Sequence, residues 1–293
     1  MLKSTPIYDI CTLSDFKEDD IIVSRFAPYL AHHKNLYAAH RHSFYHLVLF
    51  TQGGGSHTID FESFKVMPYQ IYFMIPGQVH SWNFEGFTEG YVINFSTSFF
   101  NTFLLNGAYP ENFPFFRGDL KEAVIDLPKA LHAKIFLLFE EIIKESENKA
   151  PQTADMIRVL MLQAFILVSR LSTGNSAPAS YNQTLLKSFQ KLIELNYASL
   201  KLPKDYADLL YITPNHLNAV CKDLLGVQAG EVIRNRVLLE TKRLLTNPQL
   251  SIAEIAFKLN FSDNSYFTKF FKKAEGITPE EFRKKILNQN HHE

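Results

Sequence analysis

Residues 251–283 read SIAEIAFKLNFSDNSYFTKFFKKAEGITPEEFR, and this stretch decides the fold of the C-terminal part of the chain. Ser251 and Glu254 have the spacing of a capping box, in which the serine oxygen accepts a backbone N–H and the glutamate bonds back to the cap. Asn260 stands where the first helix would end, because asparagine tolerates the left-handed conformation of a helix C-cap. The stretch therefore predicts helices that stop and restart across a tight turn.

A weak internal repeat relates this stretch to the residues before it. The paired residues are Ala207 with Ala256, Leu210 with Leu259, Ile212 with Phe261 and Thr213 with Ser262 at an offset of 49, then Leu217 with Phe267, Lys222 with Lys272 and Gly226 with Gly276 at an offset of 50. In each unit a small alanine allows close helix approach and the turn sets the second helix across the first, as in a helix-turn-helix. From the residues alone, two helical hairpins packed as a bundle fit equally well.

The sequence of residues 251–283 closely resembles the C-terminal signature of the AraC/XylS family of bacterial transcription regulators. The resemblance extends back to about residue 185. It implies two helix-turn-helix units joined by a long helix, here residues 231–246, in which Arg236 matches the family's linker-helix arginine. It also implies recognition helices at about 214–224 and 263–274. The outward positions expected to face DNA bases are Asn215, Asn218, Ala219, Asn264, Ser265, Thr268 and Lys269.

The side chains at these positions suit a mixed base sequence. Asparagine pairs bidentately with adenine, lysine reaches guanine acceptors, and Ala219 offers only apolar contact, as to a thymine methyl group. Lys222 and Lys272 are candidates for phosphate contacts, although a lysine run is also typical of a solvated helix face. Two further departures from the family pattern are Cys221, in place of a core aromatic residue, and Asn260, in place of a glycine.

The N-terminal part predicts a sandwich or small barrel, because short β-branched and aromatic runs alternate with Gly, Pro and Asp. The runs are residues 45–51, 55–61, 71–75, 79–84 and 91–95. His40-Arg41-His42, followed by His46 and by Pro76-Gly77-Gln78-Val79-His80, resembles the two cupin motifs. Alternation puts His40 and His42 on one strand face, and His46 shares their parity.

These histidines have more than one interpretation. His40, His42, His46 and His80 form a plausible divalent-metal set. In sensor cupins similar to this one, such histidines instead line an effector pocket without a metal or are structural. Trp82 is expected to join them in the pocket.

After Pro128 the apolar period becomes helical and predicts a hairpin that packs on the barrel and on a second subunit. A small, polar segment then marks a linker. The expected fold class is α+β and multidomain, with a cupin-like β-barrel and helical hairpin followed by an all-α double helix-turn-helix domain. The expected ranges are 1–128 for the sensor, 129–172 for the hairpin, 173–184 for the linker and 185–293 for the DNA-binding domain.

Composition narrows the function. The chain has 30 basic and 30 acidic residues, yet residues 1–184 carry 14 and 18 (net −4) and residues 185–293 carry 16 and 12 (net +4), which favours the C-terminal part for an anionic partner. Cys11 and Cys221 provide no disulfide framework, and neither a leader nor a membrane span is apparent, so we expect a cytoplasmic protein.

The leading interpretation is a transcription regulator that binds double-stranded DNA and a small-molecule effector. We expect it to form a homodimer, to contact RNA polymerase if it activates, and to need no cofactor beyond the candidate metal. The alternative is a metal-dependent cupin enzyme whose helical tail is an interaction module. The paired helix-turn-helix units favour the regulator, since an enzyme has no need of them.

Overall fold

The computed structural model describes residues 6–13, 20–101, 103–104, 106, 109–148, 150–172 and 181–289. They form an N-terminal unit that ends at residue 175 and a C-terminal unit that begins at residue 176. Residues 173–180 of the expected linker lie outside the described residues. The remaining expected linker residues, 181–184, are helical, since the helix Tyr181–Asn196 begins four residues before its buried Leu185.

Among the described residues of the N-terminal unit, ten strands form two five-stranded sheets. The strands are β1 (Ile7–Tyr8), β2 (Ile21–Arg25), β3 (His40–His42), β4 (Tyr45–Gln52), β5 (Gly55–Ile59), β6 (Glu62–Lys65), β7 (Gln70–Met74), β8 (Val79–Phe84), β9 (Glu89–Phe95) and β10 (Val124–Asp126). The first sheet has the order β1-β3-β8-β5-β6 and the second β10-β7-β4-β9-β2. The β-rich N-terminal domain predicted from the sequence is confirmed.

The helices of this unit are α1 (Ile10–Leu13), α2 (Phe26–His32), α3 (Leu120–Ala123), α4 (Lys129–Asn148) and α5 (Thr153–Ser172). Helices α4 and α5 are the predicted hairpin.

Strand β4 is buried on both faces, which explains how the hairpin docks. Val48 and Phe50 point into the core between the sheets, whereas Leu47 and Leu49 join a second core that contains Phe139 of α4 and others from α5. The hairpin therefore shares a hydrophobic core with the sheet. Helices α4 and α5 lie in the same compact unit as the strands, and the assignment of 129–172 as a dimerisation hairpin stays a prediction.

The C-terminal unit is helical, as expected. Its helices are α6 (Tyr181–Asn196), α7 (Pro203–Leu209), α8 (Pro214–Leu225), α9 (Ala229–Leu245), α10 (Ile252–Lys258), α11 (Asn264–Glu275) and α12 (Pro279–Gln289). One core surrounds α8 and another surrounds α11, and α9 contributes Ile233 to the first and Val237 to the second. Arg236 lies over the Tyr197 ring at 3.8 Å and donates its Nε–H to Glu194 of α6 at 2.8 Å.

Backbone conformation shows the repeat directly. Tyr211 and Asn260, 49 residues apart, both have φ of 55° in the turn before the second helix of their unit. Gly226 and Gly276 end α8 and α11 in the left-handed conformation, with φ of 76° and 78°. The two helix-turn-helix repeats therefore share the conformation of their turns and of their helix C-termini, as well as their spacing.

Within the C-terminal unit, Lys201 connects the two helix-turn-helix repeats. Its Nζ donates to the backbone oxygen of Ala198 at 2.8 Å and to that of Leu259, just after α10, at 2.5 Å. The ammonium also lies 5.0 Å from the centre of the Phe261 ring. One side chain before α7 thus binds the end of α10.

Candidate functional site

Helices α8 and α11 are built alike at both ends. Thr213 caps α8 by accepting the His216 N–H at 3.2 Å, and Asp263 caps α11 by accepting the Tyr266 N–H at 2.7 Å. Each helix has 12 residues. The capping residue of the second unit is therefore Asp263, which aligns with Thr213 at an offset of 50, rather than the Ser262 paired with it in the sequence. The offset between the two repeats therefore changes from 49 to 50 just before α11.

Helix α8 buries one face and exposes the other. Leu217, Val220 and Cys221 are buried, so Cys221 does fill a core position, and burial raises the pKa of its thiol to about 11. The exposed residues predicted to face DNA are Asn215, Ala219 and Lys222.

Asn218 of α8 has a second partner. It is half-buried, and its Oδ1 accepts the Ala229 N–H at 3.1 Å, at the start of α9. A bidentate contact with adenine needs this same oxygen. Base reading by Asn218 remains a prediction, and the bond to Ala229 competes with it.

Helix α11 presents the more basic face. Phe267 and Phe271 are buried, and Thr268 is half-buried. Its exposed predicted residues are Asn264, Ser265, Lys269 and Lys272. Sequence reasoning missed Tyr266, which is 58% exposed one turn before Lys269. The sequence could have indicated this residue, because Tyr266 is an aromatic side chain next to Phe267 in an otherwise polar first turn.

Five histidines meet between the two sheets of the N-terminal unit, and we call them the histidine cluster: His40, His42, His46, His57 and His80. His40 and His80 lie directly opposite each other on β3 and β8. His46 comes from β4 in the other sheet and stacks on His42 with ring centres 5.0 Å apart. The parity argument for His46 is therefore corrected, since a break between β3 and β4 separates it from His42.

Three of these rings form a hydrogen-bonded chain. The Nε2 atoms of His42 and His80 are 2.8 Å apart, and His80 Nδ1 is 3.0 Å from His57 Nε2. His57 was not predicted. Only the pairing of β5 with β8, which sets His57 opposite Trp82, brings it here, and the inward position of its neighbour Ile59 was the available signal.

The other two histidines are anchored through Nδ1. His40 Nδ1 lies 2.7 Å from the Ala38 carbonyl oxygen, and His46 Nδ1 lies 2.6 Å from Asn94 Oδ1. Asn94 Nδ2 in turn donates to the Tyr29 hydroxyl of α2 at 3.0 Å. A carbonyl oxygen only accepts, so His40 is protonated on Nδ1, and the bond from Asn94 Nδ2 to Tyr29 fixes the same for His46.

Burial keeps the cluster neutral, because a charged imidazole loses more hydration than a neutral one. It lowers the pKa values of His40 and His46 to about 4. Burial first, and neighbouring imidazoles second, lower the pKa values of His42, His57 and His80 well below their usual range.

The predicted pocket residues are brought together, but they are packed. Trp82 is buried and stacks on His57 with ring centres 3.5 Å apart. Trp82 also stacks on Phe84, with ring centres 5.1 Å apart. Phe84 also lines an open depression of about 210 Å³. The other residues around this depression are Ala27, Leu30, Ala31, Tyr37, Gly86, Phe87 and Thr88.

No helix among the described residues has the length and apolar character needed to cross a bilayer.

Comparison with known proteins gives two matching family models. One, described as an AraC-like ligand binding domain, matches residues 25–164, and the other, described as a helix-turn-helix domain, matches residues 206–285. The Msm operon regulatory protein of Streptococcus mutans is 30% identical over 145 residues, which span 49% of this chain and 50% of that protein. The chain thus spans about half the length of this relative.

A second relative is matched over most of its length. The HTH-type transcriptional activator RhaR of Escherichia coli K12 is 23% identical over 254 residues, covering 85% of this chain and 88% of RhaR. Among solved structures, ToxT of Vibrio cholerae is 15% identical, with 90% of this chain and 98% of ToxT covered and a TM-score of 0.45.

These relatives are transcription regulators and not enzymes, and nothing favours the alternative of a metal-dependent enzyme. The two models match the two units of the fold, each on the elements described above. The chain therefore belongs to the AraC family of DNA-binding transcription regulators, with an N-terminal ligand-binding domain.

Proposed function

We propose that this regulator reads a two-part DNA site through α8 and α11, and that a small-molecule effector in the N-terminal unit changes its DNA binding. The observation that carries the proposal is the pair of matched 12-residue helices, each capped at its first turn and each exposing polar side chains opposite a buried apolar face. Helices of this kind enter the major groove and read base edges.

The two helices have different tasks in this proposal. Lys269 and Lys272 of α11 carry positive charge toward the DNA, whereas α8 contributes Lys222 alone among its predicted contacts. Phosphate contacts supply affinity and register, and base contacts supply specificity. We therefore assign most of the salt-dependent affinity to α11.

The open depression beside α2 is the proposed effector site. Apolar side chains dominate its lining, and the hydroxyl of Tyr37 supplies a polar partner. This composition favours a small, largely apolar molecule with one or two polar groups. Trp82 lies behind Phe84, so an effector would reach the predicted pocket residues through that ring.

Assembly and partners complete the proposal. The hairpin exposes Leu137 by 56% and Met156 by 49%, which supports burial against a second copy of the chain. As an activator the dimer would contact RNA polymerase, and the proposed DNA binding supports a cytoplasmic location. DNA reading by α8 and α11 needs no cofactor.

The test is recovery of bound DNA across the genome, with the protein at native level, followed by binding measurements on the recovered site. We expect one chain to protect two adjacent turns of an asymmetric site, because the recognition helices should enter the groove about 34 Å apart. Equal affinity for the recovered site and for a scrambled version would overturn the proposal.

A further inference from the structure

The lining of the depression beside α2 combines aliphatic side chains of that helix with three aromatic rings. The aliphatic residues are spaced by three and four positions and share one face of α2: Ala27, Leu30 and Ala31. The rings are those of Tyr37, Phe84 and Phe87. The depression therefore offers a mainly apolar and aromatic surface.

The Phe84 ring is held in place by other rings. It stacks on Trp82 with ring centres 5.1 Å apart, and it meets Phe26 edge to face at 5.5 Å. Tyr37 also meets Phe84 edge to face, at 6.2 Å. Aromatic pairs in such arrangements gain more than the burial of their area alone. The ring of a ligand would thus join contacts whose geometry is already fixed.

Phe87 is the most exposed phenylalanine among the described residues of the N-terminal unit, at 69%. It follows Gly86, which has a φ of 73° and open space around it, in the turn between β8 and β9. An exposed ring that covers apolar surface is stabilised, because both surfaces leave water. Phe87 is therefore placed to close over a bound molecule.

The volume limits the size of the ligand. An apolar cavity of about 150 Å³ already holds benzene. At about 210 Å³, the depression holds one six-membered ring with one or two small substituents.

The lining also limits the polar groups of the ligand. None of its residues is charged at neutral pH, so a carboxylate, phosphate or ammonium group would lose hydration without gaining a partner of opposite charge. The Thr88 hydroxyl is buried, whereas Tyr37 is 45% exposed and offers an accessible hydroxyl. A sugar has several hydroxyls and would find a partner in this lining for one of them.

We propose that the depression beside α2 binds a neutral phenol with a single ring, which hydrogen-bonds to the Tyr37 hydroxyl and contacts the rings of Phe84 and Phe87. This inference rests on the proposed effector site and adds the chemical class of its ligand: one aromatic ring, one hydroxyl and no charge. Because Trp82 stacks on Phe84, a ring bound there also changes the surroundings of the one tryptophan of the chain.

The test is calorimetric titration of the purified full chain with p-cresol, in the absence of DNA. We expect one saturable site per chain, with a Kd of roughly 0.1–1 mM for so small a ligand, and a parallel change in Trp82 emission. 4-Methylcyclohexanol has the same size without the aromatic ring and should bind about 2–10-fold more weakly. Benzoate brings a charge and should bind at least about tenfold more weakly.

Variants locate the ligand. Tyr37→Phe removes only the hydroxyl, so the affinity for p-cresol should fall about 5–10-fold while the affinity for toluene stays at the wild-type value. Phe87→Ala should weaken the binding of both compounds about 2–10-fold. The matched control is Phe136→Ala, since Phe136 is also exposed but lies on α4, outside the depression, and both affinities should equal those of the wild type.

Three outcomes would overturn the inference: no saturable binding of p-cresol, equal affinities for p-cresol and 4-methylcyclohexanol, or equal affinities of Phe87→Ala and Phe136→Ala. The wild-type titration decides the question even if a variant fails to fold. DNA affinity, measured separately with and without p-cresol, tests the proposed effector control. A failure of that control is therefore distinguishable from a wrong ligand class.

Discussion

His46 and Asn94 face each other on adjacent strands β4 and β9, and the imidazole Nδ1 lies 2.6 Å from the amide oxygen. Asn94 also donates to Tyr29, so a single buried side chain ties the histidine cluster to α2. Replacing Asn94 with alanine should leave two buried groups without partners. Each such group costs about 1–3 kcal/mol.

We therefore expect Asn94→Ala to lower the free energy of unfolding of the N-terminal unit by a few kcal/mol on that basis. Urea unfolding followed by Trp82 fluorescence measures it. The control is Ser98→Ala, since Ser98 is exposed and its bonds lie at the surface. Equal stability of the two variants would contradict the role of Asn94.

The buried histidines predict a loss of stability in mild acid. The pKa values of His40 and His46 fall to about 4 in the folded chain, against about 6.5 in the unfolded one. The unfolded chain therefore binds more protons, and stability is complete above pH 6.5 and falls as the pH drops toward 4. Burial raises the pKa of the flanking Tyr72 above its usual value, so that hydroxyl stays protonated in this range.

Between pH 7 and pH 5 the expected loss is roughly 2 kcal/mol for each of His40 and His46. Urea unfolding of chelator-treated protein at several pH values, again with Trp82 fluorescence, checks it. A midpoint that stays constant from pH 7 to pH 5 would contradict neutral burial of the cluster.

Lys269 offers a test of base reading on α11. It is exposed on the face opposite Phe267 and Phe271, and its loss should relax base preference by about 1–3 kcal/mol at one position of the site. Binding of Lys269→Ala to a set of singly substituted sites measures this preference. Lys285→Ala, an exposed lysine on α12, should preserve the wild-type ranking of sites. Identical rankings for both variants would remove Lys269 from base reading.

Substitutions at Asn215 and Asn218 of α8 distinguish a role in base recognition from a role in stability. Asn218→Ala removes the acceptor for the Ala229 N–H, so it should destabilise the C-terminal unit by about 1 kcal/mol. Asn215 is exposed, and Asn215→Ala should change base preference at constant stability. Thermal unfolding by circular dichroism, paired with binding assays, distinguishes them. Equal stability of Asn218→Ala and wild type would contradict a structural role for the bond from Ala229 to Asn218 and leave base recognition as the role of Asn218.

The C-terminal unit was predictable because its signals are local. The Ser251 cap, which accepts the Glu254 N–H at 3.1 Å, depends on residues three apart, and so does the turn at Asn260. The repeat then supplied the first unit from the second. What sequence spacing could not show was the bond from Asn218 to Ala229, which depends on how α9 leaves α8.

The histidine cluster was only partly predictable, because strand register is not local. His40, His42 and His80 came from motif spacing. His46 was expected for the wrong reason, since it lies in the opposite sheet, and His57 depends on the pairing of β5 with β8. The hairpin was predicted as helices that pack on the barrel, but no local pattern reveals which of its residues share a core with β4.

Lys201 binds the end of α10 from a loop before α7, and α9 contributes to both cores. A domain connected in this way holds its two recognition helices at a fixed angle as well as a fixed distance. Adding one base pair between the two halves of the site turns the second half by roughly 35° about the DNA axis. The protein would then discriminate against operators with altered half-site spacing even when every contacted base is unchanged, so that the length of the unread segment becomes part of the recognition sequence.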